Sequence, residues 1–380
     1  MNSFINKLLF FFLVLFSLSS HANNAEKVAV QLFEEAVLSP SVPGINVAVA
    51  DTTGIVWAKG FGLANIELNV PMSPAIKMRI GSVAKVITTA ALMRLYDKGL
   101  IDFDSDIRHY VPEWPKKHKK INLAQLTNHT SGIRHYKHNE FFNNRHYESS
   151  VEALNIFKQD ELLFNPGSKY SYSTYAWTLV SAAMESAAGD ISFKKLISEQ
   201  VLKPLKLTET TFDDSDTIIP NRQSSYVFSK GELLNTPEVS TSYKYAGGGF
   251  LATPSDVVKF AMAHTNQHYL NSSTLNKMFT THKLPDGSNN SFGIGWSIGF
   301  ERYIHYAEKD KKHGAEFIAL MQKHSKSVMH SGSSMGAKTM MILCLEHNHS
   351  VTVVKNVTRE KSANVFNLAL KTLDLFTPTM

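Results

Sequence analysis

The feature that most limits the folds open to this chain is the placement of its β-rich segments at the two ends, with a long and mostly helical stretch between them. Ile45-Asn46-Val47-Ala48-Val49-Ala50 and Ile55-Val56-Trp57-Ala58 flank the turn-forming cluster Asp51-Thr52-Thr53-Gly54, which predicts a hairpin. Lys338 to Leu343 and Val351 to Val354 flank Glu346-His347-Asn348-His349-Ser350 and predict a second strand pair. A lone exposed hairpin is marginal in water, so the two ends are expected to join in one antiparallel sheet covered by helices. Ala25 to Leu38 carries apolar residues at helical spacing until Pro40 and Pro43 stop it, and Val365 to Phe376 closes the chain as a helix. Between the ends the helical pattern recurs over Val83 to Tyr96, Val151 to Phe157, Tyr175 to Ala187, Ser192 to Leu202, Pro254 to His264 and Ser272 to Phe279. The expected fold is therefore α/β of the α+β kind. An antiparallel sheet part (23–81 and 290–380) takes an inserted α-rich part (82–289), with a site in the cleft between them.

The first residues set the compartment. Lys7 precedes an apolar stretch from Leu8 to Leu18, and Ser20-His21-Ala22 puts small residues where a signal peptidase reads. That run is shorter than the roughly 18 to 20 residues a spanning helix needs, so residues 1–22 are expected to be a cleaved secretory leader that leaves no stable membrane anchor. The mature chain is expected in the periplasm or secreted. Without Lys7 it carries 38 basic against 33 acidic residues. The dense basic runs, Lys116 to Lys120 and Lys309 to Lys312, read as solvated loops, and no nucleic-acid partner is expected. The single cysteine, Cys344, excludes an intramolecular disulfide and a cage of cysteines. Within Met341-Ile342-Leu343-Cys344-Leu345 it reads as a buried small hydrophobe.

The strongest chemical signal is Ser82-Val83-Ala84-Lys85 at a helix start. A serine hydroxyl needs a base to become a nucleophile, and i, i+3 spacing on a helix brings Lys85 within reach of Ser82. The apolar run Val83, Val86, Ile87, Ala90, Ala91 and Leu92 disfavours the charged ammonium, Gly81 permits a close backbone approach to substrate, and the helix N-terminus favours a developing oxyanion.

Further segments, in order, resemble the serine β-lactamase and penicillin-binding-protein superfamily, in its class C-like branch: Leu126-Thr127-Asn128-His129-Thr130-Ser131-Gly132-Ile133, Asn165-Pro166-Gly167 through Tyr172-Ser173-Thr174, Gly247-Gly248-Gly249-Phe250-Leu251-Ala252-Thr253-Pro254-Ser255-Asp256, and Phe292-Gly293-Ile294-Gly295-Trp296. Tyr172-Ser173-Thr174, Asn235-Thr236-Pro237, Ser242-Tyr243-Lys244-Tyr245-Ala246-Gly247-Gly248-Gly249-Phe250 and His330-Ser331-Gly332 resemble the mitochondrial β-lactamase-like serine hydrolase family and its bacterial relatives in particular. The resemblance implies a β-lactamase/transpeptidase-like fold and a catalytic set of Ser82, Lys85 and Tyr172. It also implies an oxyanion hole from the N–H groups of Ser82 and Ser333, and substrate contacts from Thr174, His330, Ser331 and Gly332. In that reading a neighbouring cation eases ionisation of the Tyr172 phenol, and Gly332 lets the strand backbone approach the acyl group.

Two positions depart from the lactamase pattern. His330 stands where those enzymes have lysine, so a permanent cation for a substrate carboxylate is missing, and Thr174 stands where they have asparagine. Both favour general amide or ester hydrolysis by a peptidase or esterase working through a Ser82 acyl-enzyme on a small-molecule or peptide substrate. A class C-like β-lactamase or D-alanyl carboxypeptidase is the alternative, and a non-catalytic binding or assembly protein on the same fold, possible as an oligomer, is a reading of another class. No cofactor or metal is expected: the pairs His135 with His138 and His347 with His349 do not form a His-Glu-x-x-His helix.

Overall fold

Both ends of the chain enter one sheet, as their patterning requires. The structure, a computed structural model, describes residues 24–378; the leader read over residues 1–22 lies outside the described residues. The sheet strands are β1 (Gly44–Asp51), β2 (Gly54–Asn65), β3 (Val70–Pro71), β4 (Ser297–Ile298), β5 (Ser327–Ser334), β6 (Ala337–Cys344) and β7 (His349–Lys355). They lie in the order β3-β2-β1-β7-β6-β5-β4 with every neighbour antiparallel. The closure between the two ends is β1 on β7, with Val47 opposite Val353 and Val49 opposite Val351.

The main helices are α1 (24–37), α2 (Ala84–Asp97), α3 (Tyr175–Ala187), α4 (Pro254–Met262), α5 (Glu301–Ala307), α6 (Gly314–Lys323) and α7 (Val365–Phe376). Period-two alternation sends the strand side chains into two cores. Ile45, Val47, Val49, Met340, Ile342, Cys344, Val351 and Val353 pack with Phe33 of α1, Met321 of α6 and Leu370 and Leu373 of α7. On the other face Ala48 and Ala50 meet Val258 of α4, while Met341 and Leu343 join the core built around α2 and α3. Each fully buried Leu, Ile or Val contributes about 1.5 to 3 kcal/mol, so covering both faces is what holds the two ends together. At the start of α4 Thr253 accepts from the Asp256 N–H and Pro254 takes the first turn, as the sequence Thr253-Pro254-Ser255-Asp256 dictates.

Several boundaries differ from the sequence expectation for local reasons. Val151 to Phe157 divides into an α-turn (Ser150–Ala153) and a 3-10 turn (Leu154–Ile156), and Ser192 to Leu202 changes from α (Phe193–Ile197) to π (Ser198–Leu202). Helices α5 and α6 were not legible, and the lysine run 309–312 is the exposed link between them. In the other basic run the lysines are exposed but His118 is buried; its ring lies 5.1 Å from Trp114 and its Nε2 is 2.8 Å from the Lys158 carbonyl. A small sheet of Met78–Arg79, Phe250–Ala252 and Thr210–Phe212, too short to show in the pattern, ties the helical part to the segment entering Ser82. Ile80 N–H donates to the Phe250 carbonyl at its edge.

Candidate active site

The turn that carries Ser82 is fixed by steric necessity on both sides. Gly81–Val83 forms a 3-10 turn leading into α2, and Gly81 has φ +52°, a conformation that side-chain-bearing residues avoid. A Cβ on Gly81 would lie 2.6 Å from the Ser333 nitrogen, and one on Gly332 would lie 2.0 Å from the Ile80 carbonyl oxygen. The two glycines therefore let the Ser82 turn and β5 touch backbone to backbone. The sequence reading gave these glycines a close approach to the substrate; the structure shows a close approach between strand and turn. It brings the Ser333 nitrogen beside the Ser82 turn, and Ser82 and Ser333 line the same cleft.

Lys85 is completely buried, packed in the apolar first turns of α2. Its Nζ lies 3.1 Å from Ser82 Oγ and donates to the Gly247 carbonyl at 2.6 Å and Thr174 Oγ1 at 3.3 Å. Burial, with Lys244 nearby, holds its pKa well below the usual lysine value. A neutral amine has two N–H donors and one lone pair. With the donors used on Gly247 and Thr174, the lone pair is left for the Ser82 proton, which is the geometry a base requires. In the sequence Gly247-Gly248-Gly249 stood only within a family-like segment, and the Gly247 carbonyl as the anchor of Lys85 was missed.

Tyr172 lines the cleft beside Ser82 and Lys85, whose Nζ is 5.0 Å from the phenol ring centre. The ring is clamped by His129, 4.2 Å away, which sits on the loop after Leu126 with φ +64° and accepts the Ser173 N–H at Nδ1. Burial pushes the Tyr172 phenol up, and contact with Ser82 opposes the rise only in part. Burial thus works against the easing of its ionisation expected from a neighbouring cation, and it also disfavours the charge on Lys85. Tyr172 stays a neutral O–H, able to pass a proton but not to hold a negative charge.

The cleft widens on both sides of Ser82. One part, of 430 Å³, is lined by Tyr172, Phe292, Arg302, His330, Ser331, Gly332, Ser333 and Lys338. The other, of 210 Å³, includes Thr174, His135, Phe141, Lys244 and Ser334. His330 is 3% exposed and its Nδ1 is 2.7 Å from the Ser331 carbonyl, so Nδ1–H donates there and Nε2 is left a buried acceptor. Burial and the facing Lys85 depress its pKa to about 3. It is neutral well into the acid range and does not replace a lysine. Other cations line the same cavity: Arg302 of α5 and Lys338 of β6, neither of which forms an ion pair among the described residues. Lys244, buried against Phe141, Tyr243 and Tyr136, is a third, with its pKa lowered to about 7 by burial and Arg79. A lysine inside the aromatic stretch Tyr243-Lys244-Tyr245 was the one signal available for it; nothing in the sequence pointed to Arg302.

With the geometry established, the relatives fall into place. The serine beta-lactamase-like protein LACTB of Homo sapiens is 28% identical over 403 residues, covering 83% of this chain and 71% of that protein. Among solved structures, the octameric penicillin-binding protein homologue from Pyrococcus abyssi aligns with a TM-score of 0.73 at 22% identity, covering 93% of this chain and 76% of that one. EstCE1, a hydrolase with promiscuous acyltransferase activity, aligns at 0.77 and 18%, covering 94% and 99%. These structures share the fold. The Beta-lactamase family model matches residues 29–372, and the chain belongs to the Beta-lactamase family.

Proposed function

We propose that the chain is a serine hydrolase that cleaves amide or ester bonds through a Ser82 acyl-enzyme, acting as a peptidase or esterase on substrates that carry a carboxylate. The observation that carries this reading is the buried Lys85 amine 3.1 Å from Ser82 Oγ, with its donors engaged and its charge disfavoured. Lys85 takes the Ser82 proton as Oγ bonds to the carbonyl carbon. The carbonyl oxygen becomes an oxyanion facing the N–H groups of Ser82 and Ser333. Collapse of this intermediate breaks the bond to the leaving group, which receives a proton from Lys85 through the Tyr172 hydroxyl. Water then repeats the sequence on the acyl-enzyme, releasing the acid and restoring Ser82. Thr174, His330, Ser331 and Gly332 border the substrate, and Arg302, Lys338 and Lys244 attract its carboxylate. No cofactor takes part. The secretory leader expected over residues 1–22 would place this action in the periplasm or outside the cell.

Intact-mass analysis after incubation with a fluorophosphonate, and separately with a penicillin, tests the nucleophile. One adduct per chain that is lost in Ser82→Ala is expected; no adduct from either reagent refutes the proposal. Light scattering on Ser82→Ala separates catalysis from a scaffold role. An assembly and a cellular role both unchanged without the nucleophile would favour the scaffold.

A further inference from the structure

The far end of β6 holds a cluster that the hydrolase does not use. Cys344 ends β6, His347 lies in the hairpin leading to β7, and His324 caps the C-terminus of α6. One ligand-capable atom from each lies within 4.8 Å of the other two. Cys344 lies six residue steps along the strand from Lys338 in the cleft, about 20 Å at the usual rise, so this cluster is not part of the hydrolytic site.

We propose that Cys344, His347 and His324 form a binding site for a transition-metal ion, with Zn2+ as its occupant. Three observations converge. Cys344 Sγ lies 3.1 Å from His347 Nδ1, so these two donors already face each other. The His324 ring is fully buried, and its Nε2 lies 3.1 Å from Asp374 Oδ1 on α7. Nε2–H donating to a carboxylate leaves Nδ1 with its lone pair, and this atom is buried with no partner among the described residues. A carboxylate behind a histidine is the arrangement that fixes the tautomer and strengthens the ring as a ligand in metal sites. Lys323 and Asp374 form an ion pair at 2.6 Å that holds the carboxylate in place, and His349 Nδ1 lies 2.7 Å from the His347 carbonyl and pins the hairpin.

The donor set selects the ion. One thiolate with two imidazoles suits a borderline-soft cation and disfavours Ca2+ or Mg2+, which take oxygen ligands. On binding, Zn2+ displaces the thiol proton to solvent and bonds to Sγ and the two Nδ1 atoms. Water can complete a tetrahedron through the half-buried His347 side. The ion would then join β6, the β6–β7 hairpin and α6 at one point, with α7 attached through Asp374. The sequence paired His347 with His349; the fold brings in His324 and Cys344 instead.

Co2+ added to the purified, chelator-treated full chain serves as the spectroscopic probe. A thiolate-to-cobalt charge-transfer band is expected, removed by one equivalent of Zn2+, with Zn2+ raising the thermal midpoint. Cys344→Ser is expected to lose the band. Because that buried change can impair folding, His347→Gln on the half-exposed hairpin is the second variant, expected to lower Zn2+ affinity at least as much as Asp374→Asn, about 10- to 100-fold. Ser82 labelling stays at the wild-type rate in His347→Gln. Absence of the band in the wild-type chain, its persistence in folded Cys344→Ser, or unchanged Zn2+ affinity in His347→Gln overturns the proposal.

Discussion

Replacing Gly81 with alanine tests the contact on which the proposed oxyanion hole depends. The new Cβ would sit 2.6 Å from the Ser333 nitrogen and 2.9 Å from its carbonyl carbon and oxygen. Ordinary contact begins near 3.4 Å, so β5 must retreat from the turn by several tenths of an ångström to about 1 Å. Alanine at φ +52° adds a backbone cost of about 1 to 2 kcal/mol. The Ser333 N–H then lies too far out to act with that of Ser82, and loss of one such donor raises the acylation barrier by about 2.7 to 4 kcal/mol, a 10²- to 10³-fold drop in rate. Lys85, anchored on Gly247 and Thr174, should keep its position. The assay is the rate of fluorophosphonate labelling, followed by mass, together with kcat/KM on an activated ester. Circular dichroism and a urea melt establish that the variant is folded. A folded Gly81→Ala that acylates at close to the wild-type rate refutes the reasoning.

Because only the neutral Lys85 amine accepts a proton, kcat/KM should fall as pH drops through its folded-state pKa, which lies well below the reference value of about 10.4. An acid limb near that reference value would contradict the burial argument. Over the same interval the unfolded chain binds the extra proton, so Lys85 makes the fold more stable as pH rises, and the urea midpoint should follow. Cephalosporin turnover, if any, should not climb between about pH 8 and pH 5, since His330 at about 3 gains no charge there; a steep rise toward acid would restore it as a lysine substitute. Arg302→Ala should raise KM for a carboxylate-bearing ester more than for its neutral methyl ester, and equal effects on both would remove Arg302 from substrate recognition. Glu360→Gln should destabilise the fold by about 3 to 5 kcal/mol by urea titration, because Lys355, buried beside Glu360 and donating to the Ala363 carbonyl, loses its counter-charge; a change under about 1 kcal/mol would refute it.

Periodicity and motif spacing are local properties, and what they encode was readable in the sequence. Nearly continuous runs of apolar and small residues in β1, β6 and β7 favour a sheet buried on both faces, and their position at the two ends favours the ends meeting. The i, i+3 spacing of Ser82 and Lys85 puts them on one side of a helix wherever that helix lies. Thr253 and Pro254 start α4 by hydrogen bonding within four residues. The identity of the segments that meet across the cleft was not encoded locally. Gly247 reaches Lys85 across 162 positions, and Gly81 and Gly332 turn out to serve each other's backbones. Arg302 entered the site only because α5, whose Tyr303 stacks on Phe366 of α7, borders the cleft, in a stretch whose pattern gave no element at all. Burial, too, belongs to the tertiary structure. It disfavours the charge on Lys85, raises the Tyr172 phenol and lowers His330, because desolvation depends on every element packed around a group and no single segment carries that information.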